Sequence, residues 1–309
     1  MAVPDAFLVT VPATTANIGP GFDCLGAALK LYNGFQFLVV DRDPGTVEIT
    51  VTGRDAERVS TQADNLAYQA FARLFKHLQR DIPAIQLEIE LAVPLSRGLG
   101  SSSTAIVGGL LGANAIAGHP LSLEAIADLA IAMEGHPDNV VPALRGGCRL
   151  AVKDDSDRWV LCDIPWHRSI QAVVAIPEFE LSTAAARQVV PNQYSKADAI
   201  FNMANLGLLL RGLETGYGPW LMTALRDRIH QPYRQALIPG FSKVQQAAQR
   251  AGAYGLVISG AGPTVLALTS EANAHAVCKV ILSTWKSEPF AASAQILEIE
   301  RNGAIAVPI

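Results

Sequence analysis

The stretch Pro94-Leu-Ser-Arg-Gly-Leu-Gly-Ser-Ser-Ser-Thr-Ala105 decides the reading of this chain, because of what stands on either side of it. Before it, Ile85, Leu87, Ile89 and Leu91 alternate with Gln86, Glu88 and Glu90, the period-two pattern of a half-buried strand. After it, from about Thr104, an apolar run through Ala117 reads as a buried helix. Gly98 and Gly100 allow positive φ and let main-chain N–H groups approach a ligand closely. The hydroxyls and the first free amides of the helix then face whatever sits at its N-terminus, where the helix dipole adds partial positive charge. A polyphosphate is the natural occupant. The plain alternative is a Gly/Ser-rich connector with no ligand. A Walker A loop needs Gly-Lys-Ser/Thr, a tripeptide the chain does not contain, and a dinucleotide fingerprint needs a third glycine where Ser103 stands.

Outward from this loop, strands are expected at Phe35 to Val40 and Thr46 to Val51, and a helix from about Asn65 to Arg80 with Leu66, Ala70, Leu74 and Leu78 on one side. A further helix is expected from Ser122 to Glu134, with a serine N-cap and an end at Gly135. Lys153 to Arg158 turns polar, as a hairpin tip does. The second half offers a strand at Ala172 to Ile176 and helices between Ala184 and about Arg228 and from Gly240 to Arg250. It closes with strands at Leu256 to Ser259 and Thr264 to Leu268, a helix near Glu271 to Ser283, and a last strand at Gln295 to Ile299. The class is mixed α+β, in two lobes that divide near residue 165: 1–165 with the phosphate loop, 166–309 closing a cleft over it. A length of 309 residues, about twice the usual domain, fits that division.

The composition excludes several classes of function. A net charge of −4 and no dense Lys/Arg run argue against a nucleic-acid partner. Ala105 to Ala117 is too short to span a bilayer and contains Asn114, so no membrane partner is expected. Four cysteines far apart form neither a disulfide framework nor a zinc pattern, and the first residues lack the features of a secretory leader. A reduced, cytoplasmic setting is expected. For assembly a homodimer is entertained, with no motif behind it.

Three segments, taken together, resemble the motifs of the GHMP kinases. They are Pro12-Ala-Thr-Thr-Ala-Asn-Ile-Gly-Pro-Gly-Phe-Asp-Cys-Leu-Gly26, the loop from Pro94 to Ala105, and Ser259-Gly-Ala-Gly-Pro-Thr-Val265, in the family's order. Glu134-Gly-His-Pro-Asp-Asn-Val-Val-Pro-Ala143, Leu181 to Arg187 and His230-Gln-Pro-Tyr-Arg234 resemble the branch of that family that phosphorylates homoserine. The resemblance implies a ribosomal-protein S5-like N-terminal lobe, a ferredoxin-like C-terminal lobe, and ATP-dependent phosphorylation of L-homoserine, the step that feeds threonine synthesis. A mevalonate- or shikimate-type acceptor is the alternative within the family, and a binding protein without turnover is the alternative outside it. The loop departs from the family's pattern at one point: it reads Ser-Ser-Ser-Thr-Ala where many relatives read Ser-Ser-Ala-Ala.

The resemblance also implies roles. ATP would contact Pro94, Leu95, Ser96, Arg97, Gly98, Leu99, Gly100, Ser101, Ser102, Ser103 and Thr104, with Gly260 and Gly262 closing from the second lobe. Mg²⁺, bound with ATP, would take Ser102 and Glu134; which hydroxyl from Ser101 to Thr104 it meets stays open. Glu134 ends an apolar helix, where a carboxylate opposes the dipole and calls for a compensating positive charge. The acceptor's carboxylate would meet Arg187 and Arg234, its ammonium Asp23, its hydroxyl or amine Asn17, with His136 beside them. Other members place an aspartate base where this chain has Asn139, which cannot take a proton at neutral pH. The hydroxyl is therefore expected to lose its proton late, without a side-chain base, as a loose transition state allows.

Overall fold

The computed structural model describes residues 5–309; the expectation about a leader falls partly on Met1 to Pro4, outside them. Strands β1 (Ala6–Ala16) and β2 (Leu25–Val39) form a long antiparallel pair, followed by β3 (Val47–Gly53), helix α1 (Leu66–His77) and β4 (Ile85–Leu91). β3 and β4 run parallel, so β3–α1–β4 is a βαβ unit. Asn65 caps α1 by accepting from the amides of Ala67 and Tyr68. Then come α2 (Ser101–Ile116), α3 (Leu123–Glu134), α4 (Pro137–Arg145) and the hairpin β5 (Cys148–Lys153) and β6 (Trp159–Ile164).

The second part holds β7 (Ile170–Pro177), α5 (Thr183–Gln188), α6 (Lys196–Thr215), α7 (Gly218–Ala224), α8 (Gln231–Arg234) and α9 (Phe241–Arg250). It continues through β8 (Ala253–Ile258), β9 (Val265–Ser270), α10 (Glu271–Trp285) and β10 (Ala292–Leu297) to β11 (Ile305–Pro308). Its sheet has the order β10-β7-β9-β8, every pair antiparallel, as in ferredoxin-like lobes. The first sheet has seven strands along β11-β1-β2-β4-β3, with β5 and β6 branching from β2. The chain's last strand thus returns to the edge of the first sheet.

Several elements differ from the pattern-based expectation: β1 is not among the expected strands, β2 begins at Leu25 rather than Phe35, and β10 is shifted toward the N-terminus. The apolar helix begins at Ser101 rather than Thr104, because Gly100 takes the left-handed cap position and the Thr104 amide already donates to its carbonyl. A nine-residue helix, α4, follows α3 directly; Pro142 inside it masked its pattern, although Pro137 at its start is the expected opening residue. β11 lies beyond the strand expected to be last, and its short edge leaves Ile305 and Val307 exposed.

α2 packs on β2 through glycine. A Cβ on Gly108 would come within 2.6 Å of the Phe35 ring and one on Gly112 within 2.4 Å of Phe37. The helix therefore lies flat on the aromatic rows of the sheet, and its N-terminus is fixed relative to β2. A second core joins Ile18, Leu29, Val93 and Leu99 of the first part to Val174, Leu209, Val257 and Leu266 of the second. The sheets share this apolar seam, and the cavity described next opens along its edge.

Candidate active site

From Ser96 to Gly100 the loop between β4 and α2 turns its main-chain carbonyls toward the protein. The carbonyl of Ser96 accepts from Leu181 N (3.4 Å), that of Arg97 from Thr264 N (3.2 Å) and that of Gly100 from Thr104 N (2.9 Å). Gly98 O accepts from Ser259 Oγ at 2.7 Å, and Leu99 O from Thr14 N at 3.0 Å. Every carbonyl from Ser96 to Gly100 is thus held by the protein. Among the described residues, no protein acceptor takes the amides of Gly98 through Ser103. Buried amides need partners, so this surface awaits an anion. The glycines are set by packing as well as by torsion: Gly100 has φ 68° and a Cβ there would lie 2.0 Å from Thr14 Oγ1.

Glu134 closes α3 against the first turn of α2. Its Oε1 accepts from Ser102 Oγ at 2.8 Å and from Ser103 Oγ at 3.0 Å. Glu134 has no lysine or arginine partner among the described residues, and Oε2 takes no protein donor. The positive end of α2 and two hydroxyls offset the carboxylate's unfavourable place at the end of its own helix. The donor set, one carboxylate beside a serine hydroxyl, suits a hard cation that takes most of its oxygens from water and phosphate. No cluster of three or more ligating side chains exists among the described residues. Thr104 is drawn inward: its hydroxyl accepts from Asn33 Nδ2 at 2.9 Å and donates to Ser101 O at 2.8 Å.

The other end of the cavity carries both signs of charge. Arg187, on α5, forms a two-pronged pair with Asp23, both bonds 2.9 Å, across 164 residues of sequence. That bond with Asp23 raises the guanidinium's affinity for its proton above the ordinary arginine value, against burial. Arg234 is 2% exposed, donates to the carbonyls of Ala186 (2.9 Å) and Gly260 (3.1 Å), and pairs with no carboxylate. Burial, then the neighbouring Arg187, pull its pKa below the usual arginine value. A buried cation hydrogen-bonded to carbonyls and to no carboxylate among the described residues marks a place for an anion. The Phe22 ring lies 4.9 Å from the Arg234 guanidinium and stacks at 5.1 Å on His230, whose Nε2–H donates to Gly19 O. Burial keeps His230 below the usual histidine range. His136 bonds through Nδ1 to Asp138 at 2.6 Å; burial opposes its charge, but the bond to Asp138 and the charges of Asp138 and Glu134 raise its pKa overall.

One cavity of about 580 Å³ joins these features. Leu95, Ser96, Gly98, Gly100, Ser101, Ser102, Thr104 and Gly260 line it, together with Glu134, His136, Asn139, Asn17, Asp23, Arg187 and Arg234. Pro94, Arg97, Leu99, Ser103 and Gly262 stand behind its wall; the Arg97 guanidinium lies 3.6 Å from Glu180. Asn17 spends its side chain on the protein, donating to Gly260 O at 2.8 Å and accepting from Asp23 N at 3.0 Å. Asn139 Oδ1 accepts from Thr14 Oγ1 at 2.8 Å. The sequence reading left Asp138 without a role and passed over Asn33, Phe22 and an apolar bay formed by Val59, Leu66, Ile89 and Leu91. The bay leaves no local signal, because its members come from one strand, a helix and a loop.

Family models of known proteins match in two places, the GHMP kinases N terminal domain at residues 65–147 and the GHMP kinases C terminal at residues 209–287. The chain is 57% identical over 305 residues to a homoserine kinase of Trichodesmium erythraeum, covering 99% of each. It is 59% identical over 295 residues to one of Synechococcus, covering 96% of each. Its backbone is similar to the crystal structure of homoserine kinase from Cytophaga hutchinsonii, with a TM-score of 0.90 at 29% identity over 99% of both chains. The mevalonate kinase of L. major, at 16% identity and a TM-score of 0.70 over 98% and 97%, shares the fold.

Proposed function

The chain belongs to the GHMP kinase family, and from that premise we propose that it transfers the γ-phosphoryl group of ATP to the side-chain hydroxyl of L-homoserine, giving ADP and O-phospho-L-homoserine. The observation that carries this reading is the pairing of two unlike ends in one cavity. A row of unpartnered amides faces a buried, unpaired Arg234 and the Asp23–Arg187 pair. The first end suits a triphosphate, and the second suits an acceptor that carries a carboxylate and an ammonium together.

In this reading the amides of Gly98 to Ser103 hold the phosphates, and the lobe built on the β10-β7-β9-β8 sheet closes the cleft through Gly260; the two lobes divide near residue 165, except that β11 returns to the first sheet. Arg234 and Arg187 receive the carboxylate while Asp23 takes the ammonium, so the zwitterion replaces the Asp23–Arg187 pair with two pairs of its own. The acceptor oxygen attacks the γ-phosphorus, a new P–O bond forms and the bridging P–O bond to the β-phosphate breaks. Asn139, tied to Thr14, borders this point and cannot take up the proton. The proton leaves to phosphate or water as the bond to phosphorus forms. Glu134 and Ser102 would hold Mg²⁺, which supplies neutralisation of phosphate charge when bound.

The four cysteines of the sequence are free thiols, in keeping with a reducing compartment such as the cytoplasm. None of the helices is long and apolar enough to cross a membrane among the described residues. The function is tested by coupled ADP release with homoserine, mevalonate and shikimate in parallel. Turnover with homoserine alone is expected. Preferred turnover of another alcohol, or ATP binding with no turnover of any, would overturn the assignment.

A further inference from the structure

Asn33 sits in the middle of β2, fully buried, and none of its polar groups is idle. Its Oδ1 accepts from the amides of Ala92 and Val93, both at 2.9 Å, where the chain leaves β4. Its Nδ2 donates to Thr104 Oγ1 at 2.9 Å, and that hydroxyl donates onward to Ser101 O at 2.8 Å. The bonds form one directional series from the start of the phosphate loop to its end. We propose that Asn33 and Thr104 act together as the positioning device of this loop, setting the direction of the Ser102 amide toward the β- and γ-phosphates. The proposal rests on the ATP reading above.

The geometry follows from the planar peptide. The Ser101 carbonyl and the Ser102 N–H belong to one trans unit and point in opposite senses. Holding the carbonyl inward with Thr104 therefore turns the Ser102 amide outward, at a residue that lines the cavity. Each bond in a series polarises the next in a dry interior, and the series begins at two amides that donate into Asn33. The anion end is thereby made more positive without a charged side chain of the loop lining the cavity. The departure from the family's usual Ser-Ser-Ala-Ala also gains a physical account. With alanine at 104, Asn33 Nδ2 would lose its acceptor while 0% exposed.

The test is direct calorimetric binding of MgATP and of adenosine to the full chain, with KM for homoserine measured alongside. Thr104→Val keeps the shape and removes the hydroxyl; it should weaken MgATP binding about ten-fold, the scale of one net hydrogen bond to a charged partner. Adenosine affinity and the KM for homoserine should stay within two-fold, and Thr104→Ser should restore MgATP binding. Asn33→Ala should weaken MgATP at least as much, and adding Thr104→Val to it should cost little more, since both break one series. If Asn33→Ala does not fold, the Val and Ser variants at 104 decide alone. MgATP affinity unchanged in Thr104→Val, or equal losses for adenosine and MgATP, would overturn the proposal. A wild-type protein that binds no MgATP would instead overturn the function proposed above.

Discussion

Replacing Arg234 with leucine separates the two ends of the cavity. The guanidinium is 2% exposed, so its interaction with a bound carboxylate is little screened by solvent. Two charge-assisted hydrogen bonds at about 1.5 to 3 kcal/mol each set an upper range, and Arg187 remains to hold part of the carboxylate. A net loss of about 3 kcal/mol corresponds to a KM for homoserine raised roughly 150-fold. The KM for ATP should change less than about three-fold, because Arg234 touches the nucleotide side only through the Gly260 carbonyl. Stability should move little: bonds to the Ala186 and Gly260 carbonyls are lost, while a buried cation without a counter-ion is removed. The assay is coupled ADP release with each substrate varied, repeated with 3-aminopropan-1-ol, which is homoserine without its carboxylate. That amino alcohol should have nearly the same KM on the wild type and the variant. An equal rise in the KM for ATP, or a rise for the amino alcohol matching that for homoserine, would refute the carboxylate assignment.

Glu134→Gln keeps an oxygen for the Ser102 and Ser103 hydroxyls but removes the charge; kcat should fall by roughly two orders of magnitude and half-maximal rate should need more Mg²⁺. An unchanged Mg²⁺ titration curve would remove Glu134 from the metal. Asn139→Asp keeps the bond from Thr14 but sets a buried negative charge beside the triphosphate, so kcat should fall; a rise of ten-fold or more would show that a base was wanted there. His136 has a raised pKa in the fold, burial being outweighed by its bond to Asp138 and the nearby carboxylates. The folded state therefore holds a proton that the unfolded chain releases near pH 6.5. The stability this adds is complete below about pH 6.5 and is lost as pH rises through the folded pKa. Urea titrations should show His136→Gln flattening that fall; an equal slope in both proteins would contradict it.

How much was legible in the sequence depended on how local each signal was. The strand before the phosphate loop showed itself by strict alternation, and α3 by Ser122 at one end and Gly135 at the other, because neighbours in sequence set both. The start of α2 was misplaced by three residues, since serines have weak helix preference and only the left-handed Gly100 cap fixes the first turn. α4 was hidden by Pro142, which shares the helix with a favourable Pro137. The resemblance brought Arg187 and Asp23 to one site, but their mutual pairing spans 164 residues and has no periodic trace. The hydroxyl at 104 showed only as a departure from a pattern. Its use depends on Asn33, a residue that sits on strand β2 and belongs to none of the motifs.

Charge balance ties these pieces into one argument for the Mg²⁺ role. The loop proposed to hold the triphosphate offers the cavity amides and hydroxyls but no free cation among the described residues: Arg97 does not line the cavity, and Arg58 is paired with Glu180. A helix dipole contributes about half an elementary charge, far less than a triphosphate carries. Arg187 is committed to Asp23, and Arg234 stands at the other end of the cavity, where the proposed acceptor carboxylate would meet it. Glu134, beside the first turn of α2, adds negative charge there. A carboxylate next to the proposed polyphosphate site would be balanced by a divalent cation bound with the phosphates. The bonds from Ser102 and Ser103 to Oε1 hold the carboxylate in place and leave Oε2 without a protein donor, as the proposed metal role requires.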